Sequence, residues 1–149
     1  MRQYFCVVFA IIVLMACGKD KLDTRPSIKL KSFSSNIIPS GSGLAIDFEY
    51  ADKEGDISNA LFVQKIRTNK KVLATIRDSF SLVVPQFSKS SRGNIEVNMD
   101  YSNHLISAIN PGMPPNAADD SLTIRFVLRD MAGNVSDTVT INNIVVIRN

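Results

Sequence analysis

The segment Leu44–Tyr50 reads LAIDFEY, and its large apolar residues alternate with small or charged ones. This period of two is typical of a β-strand, because successive side chains of a strand point to opposite faces of the sheet. The same alternation occurs in Ile95–Tyr101, which reads IEVNMDY, and in Leu122–Leu128, which reads LTIRFVL. The three segments predict antiparallel strands that bury one face and leave the other in water.

Five weaker segments extend this pattern along the chain. They are Ile28–Phe33, Ala60–Ile66, Lys71–Arg77, Phe80–Val84 and Val139–Ile147, the last with a bulge expected at Asn142-Asn143. Seven or eight antiparallel strands without a long helix predict an all-β fold in which two sheets pack face to face as a β-sandwich. An eight-stranded β-barrel is the alternative, because alternation along a strand does not distinguish a barrel from a sandwich.

One long segment, Ser102–Asp120, interrupts the alternation and includes the proline-rich run NPGMPP. Leu105 and Ile109 recur at helical spacing, so we expect one or two helical turns before Pro111. The segment is either a crossover between the two sheets or an exposed binding loop that presents Met113.

The N-terminal segment Met1–Ala16 is apolar except for Arg2 and Gln3. It is shorter than the roughly 20 apolar residues that a helix needs to cross a bilayer, so it predicts a cleaved signal peptide. The residues that close it, Leu14-Met15-Ala16-Cys17, resemble the lipobox of bacterial lipoproteins. This resemblance implies that the chain is cut before Cys17 and that the Cys17 thiol carries diacylglycerol. An ordinary secretory signal is the alternative.

The expected organisation is a signal peptide at residues 1–16, a lipidated tether at 17–27 and a β-sandwich domain at 28–149. A single acyl chain binds a membrane only marginally, whereas two or three chains anchor a protein stably. The predicted partner of the lipidated N-terminus is therefore a membrane.

Composition excludes several functional classes. The chain has 149 residues and a net charge of +3, which is too small for the strong basic field of a typical nucleic-acid-binding protein. The single histidine, His104, and two cysteines exclude most multi-ligand metal sites and offer no base for a nucleophile. We therefore predict no catalytic residues, no enzyme activity and no organic cofactor. A basic patch is expected to protect a sheet edge, and its members are Arg67, Lys70, Lys71 and Arg77.

Two loops carry a second resemblance. Residues 51–58 read ADKEGDIS, and residues 129–138 read RDMAGNVSDT before the last strand. These turn motifs resemble bacterial immunoglobulin-like modules, and with the lipobox the chain resembles the small immunoglobulin-like lipoproteins of Bacteroidota cell envelopes. The resemblance implies an immunoglobulin-like β-sandwich with a non-catalytic binding, adhesion or accessory role, whose partner is an envelope protein or glycan. A structural spacer or subunit of a larger envelope complex is the alternative.

The same resemblance bears on location and modification. Gly18 after Cys17 resembles the pattern of lipoproteins passed to the outer membrane, on either its surface or its periplasmic face. The tripeptides Asp120-Ser121-Leu122 and Asp137-Thr138-Val139 resemble that group's O-glycosylation pattern. Ser121 and Thr138 are therefore candidate modification sites.

A calcium site is the last expectation. In an immunoglobulin-like sandwich, the loop after the second strand and the loop before the last strand lie at the same end. This topology places three acidic residues of the first loop near three polar residues of the second: Asp52, Glu54, Asp56, Asp130, Asn134 and Asp137. Calcium prefers six to eight oxygen ligands, which such a set supplies. The alternative is that these residues only form tight turns.

Overall fold

The structure, a computed structural model, describes residues 22–69, 78–106 and 119–148. The described residues form eight strands and one π-helical turn, joined by loops. They are β1 (Ser27–Phe33), β2 (Ile37–Ile38), β3 (Gly43–Ala51), β4 (Ala60–Arg67), β5 (Ser79–Val83), β6 (Arg92–Asp100), the π-helical turn (Tyr101–Leu105), β7 (Asp120–Arg129) and β8 (Val139–Val146). Several expectations lie outside the described residues: the signal peptide, the Cys17 lipidation site, the strand predicted at Lys71–Arg77, and the exposed Met113.

The strands form two sheets. One contains three strands in the order β1-β3-β6, and the other contains five in the order β2-β8-β7-β4-β5. All neighbours are antiparallel except the short β2, which pairs in parallel with β8. The predicted all-β sandwich of two packed sheets is therefore confirmed. The alternative of an eight-stranded barrel is wrong, because the described strands form two separate sheets and not one closed sheet.

The core lies between the sheets and follows the period of two. The alternate apolar residues of β3 and β7 are each at most 3% exposed. They are Leu44, Ile46, Phe48 and Tyr50 on β3, and Leu122, Ile124, Phe126 and Leu128 on β7. Phe48 and Phe126 join the two sheets, with ring centroids 5.0 Å apart and planes tilted by 59°. Burial of these side chains is the main favourable term in the stability of the sandwich.

The bulge expected near the end of the chain is present. Leu122 pairs with Ile144 and Ile124 pairs with Ile141, so two asparagines of β8 oppose one residue of β7. Asn143 takes up the extra length with a φ of 60°, a left-handed conformation that asparagine tolerates better than most residues. Side chains on either side of the bulge consequently keep their inward direction.

One helical turn follows β6 directly, whereas most of the segment in which helical turns were predicted, residues 107–118, lies outside the described residues. Tyr101 continues the inward face of β6 and starts a π-helical turn that ends at the buried Leu105. The Tyr101 hydroxyl donates a hydrogen bond of 2.6 Å to the Ile147 carbonyl, which ties this turn to the end of the chain. No helix in the described ranges is both long and apolar enough to cross a membrane.

The last residues of the expected tether pack on the domain. Pro26 is buried, and the Lys53 amide donates to the Asp23 carbonyl at 3.1 Å. Arg25 donates from Nε to the Val135 carbonyl at 2.5 Å. The chain therefore enters the sandwich at the end formed by the loop after β3 and the loop before β8.

Candidate functional site

Three aspartates meet at the end where the chain enters the domain. Asp52 directly follows β3, and Asp130 directly follows β7 in the other sheet. Carboxylate oxygens of Asp52, Asp56 and Asp130 all lie within 4.8 Å of one another. The Met131 amide donates to the Asp56 carbonyl at 2.9 Å, and Asn59 Nδ2 donates to the Asp130 carbonyl at 2.7 Å. These bonds hold the two loops together.

The other three residues expected at this end differ in position. Asn134 lies beside Asp130, donating to its carboxylate from the backbone amide at 2.7 Å and from Nδ2 at 2.8 Å. Glu54 is exposed and lies 4.0 Å from Lys53, and Asp137 is exposed and pairs with Arg25 at 2.9 Å. The structure thus brings together four of the six residues, and Glu54 and Asp137 face solvent outside the cluster.

Burial gives the cluster its electrostatic character. Asp52 is 0% exposed and Asp130 is 1% exposed. Burial raises the pKa of Asp52, and the Asp56 carboxyl raises it further, whereas hydrogen bonds from backbone amides partly lower it. The Asp56 amide donates to Asp52 Oδ2 at 3.1 Å. No hydrogen bond from the described residues reaches Asp52 Oδ1 or Asp56 Oδ1, although both atoms are buried.

An open groove crosses the outward face of the five-stranded sheet. Its volume is about 650 Å³, and side chains of four adjacent strands line it. One row across the sheet consists of Ser79, Gln64, Arg125 and Thr140, which are successive cross-strand neighbours. The next row consists of Ser81, Phe62 and Val127, and Thr138 lies beside it. The Phe62 side chain is 40% exposed, which is unusual for a large aromatic residue.

The polar residues of the groove are available to a ligand. Within the described part of the chain, no hydrogen bond or ion pair engages the side chains of Gln64 and Arg125, although they are paired in register. A guanidinium group offers five donors and an amide offers both donors and an acceptor. The groove therefore combines an exposed aromatic ring with donors that no described residue uses, on the face of a β-sheet.

A buried ionic cluster at the opposite end of the sandwich was missed by the sequence analysis. Asp120 pairs with Arg67 Nε at 3.2 Å and accepts a hydrogen bond from Arg148 Nε at 2.6 Å. Nearby, Lys65 Nζ donates to the Leu105 carbonyl at 3.2 Å. Arg67 was expected in an exposed basic patch, and this expectation is wrong because its side chain is 6% exposed. Arg67 lies an even number of residues after the inward Leu61, Val63 and Lys65 of β4, and this spacing is the sequence signal that predicts an inward side chain.

The two candidate O-glycosylation residues and the single histidine lie apart from the aspartate cluster. Ser121 is half-buried within β7, where its amide donates a hydrogen bond to Asn69 Oδ1 at 3.0 Å and its carbonyl accepts one from the Thr68 amide at 2.8 Å. Thr138 is exposed just before β8, at the rim of the groove. His104 accepts a hydrogen bond at Nδ1 from the Asp100 amide at 2.9 Å, which stabilises the π-helical turn.

No protein-family model, curated protein or solved structure matches this chain. A β-sandwich supports many unrelated functions, so the fold does not identify the activity. Function is therefore inferred from the chemistry of the sites described above.

Proposed function

We propose that this protein is a lipid-anchored, non-catalytic binding module of the bacterial outer membrane, and that the groove on its five-stranded sheet binds an envelope glycan. The lipobox that ends at Cys17 supports the anchor. Gln64 and Arg125, whose side chains no described residue engages, lie beside the exposed Phe62 ring and support the ligand class. This juxtaposition is the single observation that carries the proposal.

The groove chemistry fits a sugar. Hydroxyl and carboxylate groups of a glycan accept hydrogen bonds from guanidinium and amide donors, and carboxylates pair with arginine in a bidentate manner. The flat apolar face of a sugar ring packs on an aromatic side chain such as Phe62. The volume of about 650 Å³ lies within the range of roughly 300 to 1,000 Å³ that is common for small-ligand sites.

The position of the chain entry is consistent with a surface-tethered module. Residues 22–26 contact the domain, so the five steps from Cys17 to Leu22 span at most about 18 Å in extended form. A lipid on Cys17 then holds the entry end of the sandwich close to the membrane. The groove lies on a sheet face to the side of that end, where an envelope polysaccharide is accessible.

The test is a glycan array probed with the purified full chain and with the double variant Gln64→Ala/Arg125→Ala. We expect the full chain to retain a small group of glycans and the double variant to lose at least tenfold in affinity. The matched control is Lys29→Ala, which removes an exposed cation from β1 in the three-stranded sheet. This control should bind as the unaltered chain does.

Two outcomes would contradict the proposal. If the double variant and the control bind equally, the groove is not the glycan site. If the full chain retains no glycan at all, the alternative of a spacer or subunit in a larger envelope complex is favoured instead.

A further inference from the structure

We propose that Asp52, Asp56 and Asp130 form a calcium site at the end where the chain enters the domain. The cluster joins the two sheets, because Asp52 extends β3 of the three-stranded sheet and Asp130 extends β7 of the five-stranded sheet. The site is separate from the groove, and it does not depend on the proposed glycan binding.

The unpartnered oxygens are the observation that points to a cation. Asp52 is 0% exposed, yet its Oδ1 accepts no hydrogen bond from the described residues, and the buried Oδ1 of Asp56 accepts none either. A buried carboxylate is costly unless a hydrogen bond or an opposite charge compensates for its lost hydration. Turn formation alone leaves these two oxygens without compensation, because the turns use other atoms.

Two basic side chains of the neighbouring segments, those of Arg25 and Lys53, interact with other groups. Arg25 pairs with Asp137 at 2.9 Å and donates to the Val135 carbonyl. Lys53 lies 4.0 Å from Glu54. Both cations thus interact with exposed groups at the rim, while the three buried or half-buried aspartates face one another.

Ligand type and spacing select calcium among common cations. Within the described residues, the cluster contains carboxylates and no histidine or cysteine, a set that favours hard cations over zinc. Calcium binds oxygen at about 2.3 to 2.6 Å, so two of its ligands lie at most about 5 Å apart. The observed limit of 4.8 Å meets this condition. Asp56 is half-buried, which leaves room for water to complete the irregular coordination that calcium accepts and magnesium does not.

Calcium at this site would also fix the chain entry. Asn134 donates to the Asp130 carboxylate and, at 3.4 Å, to the Thr24 carbonyl. The loop of Asp52 binds the entry segment through the Lys53 amide and the Asp23 carbonyl. An ion that holds the two loops together therefore also holds residues 23 and 24 in place. Bound calcium should consequently order the domain relative to the proposed lipid anchor.

Isothermal titration calorimetry and thermal unfolding of the purified full chain test the site. We expect one calcium ion per chain, with a Kd of about 10⁻⁴ to 10⁻³ M as in extracellular modules. In 10 mM calcium, the Tm should exceed that in chelator by roughly 5 °C or more. Asp52→Asn and Asp56→Asn each keep an oxygen acceptor but remove a charge, and each should weaken calcium binding at least tenfold.

Two comparisons separate a cation site from a purely structural cluster. Glu54→Gln removes an exposed charge from the same loop, so it should retain the calcium response of the unaltered chain. In chelator, Asp52→Asn should be at least as stable as the unaltered chain, because the variant relieves repulsion between carboxylates. The proposal would be overturned if the chain gave no binding heat and had equal Tm values in calcium and in chelator. The Asp52 and Asp56 carboxyls would then be a pair that shares a proton. Tighter binding of magnesium than of calcium would overturn the choice of ion.

Discussion

Replacing Gly55 by alanine should destabilise the domain strongly, because two separate costs combine at this position. Gly55 has a φ of +65°, a left-handed conformation that costs a residue with a Cβ roughly 1 to 2 kcal/mol. An added Cβ would also lie 2.8 Å from three backbone atoms of Ser90, far inside the usual contact distance of about 3.5 to 4.0 Å. Overpacking of this kind costs about 1 to 3 kcal/mol, so we expect a total loss of roughly 2 to 5 kcal/mol.

Gly41 provides a matched control for the Gly55 prediction. Its φ is +76°, but an added Cβ would meet nothing within 4 Å. Gly41→Ala should therefore carry only the conformational cost of roughly 1 to 2 kcal/mol. Urea unfolding of the full chain measures both variants, and a slope of about 2 kcal/mol/M converts 3 kcal/mol into a midpoint shift of about 1.5 M. Equal midpoint shifts for Gly55→Ala and Gly41→Ala would refute the argument that close approach to Ser90 matters.

Three further predictions concern other parts of the molecule. Asp120→Ala leaves the buried Arg67 and Arg148 without their shared carboxylate, so the free energy of unfolding should fall by about 3 to 5 kcal/mol. Urea titrations measure this, and a loss below about 1 kcal/mol would contradict the prediction. Burial lowers the pKa of Lys65 below 10.5, so the folded chain loses this proton before the unfolded chain does and stability rises with pH between the lowered pKa and 10.5. Between neutral pH and about pH 10, the urea midpoint of the unaltered chain should therefore rise relative to that of Lys65→Met. If the two midpoints change with pH in the same way, the buried Lys65 does not cause the pH dependence. Cys17→Ser should block both lipidation and signal cleavage, as judged by the intact mass. A variant with the mass of a cleaved, acylated chain would refute the lipobox interpretation.

The charged residues at inward positions show where reading the sequence failed. Lys65 and Arg67 lie on the same inward side of β4 as Leu61 and Val63, but Arg67 was assigned by its charge to a basic patch at a sheet edge. The buried Arg67 pairs with Asp120 on β7, and the buried Lys65 bonds to the Leu105 carbonyl and lies near the Asp78 carboxylate. The pairing of charges across strands is a tertiary property, so alternation along β4 could not reveal it.

The sequence by itself determined most of the described strands and the buried face of the clearly alternating ones, β3, β6 and β7. This information is local, because the period of two along LAIDFEY or LTIRFVL requires no knowledge of a partner strand. Topological reasoning from those strands also placed the loops after β3 and before β8 at one end, as the contacts between Met131 and Asp56 show.

Only the tertiary structure decided the strand order, the parallel pairing of β2 with β8, and the detailed make-up of each site. It separated Asp52, Asp56, Asp130 and Asn134, which meet, from Glu54 and Asp137, which face solvent. It also aligned Gln64 with Arg125 across two strands to form the groove. The physical reason is that register and loop conformation are set by packing between residues distant in sequence, which alternation along one strand does not encode.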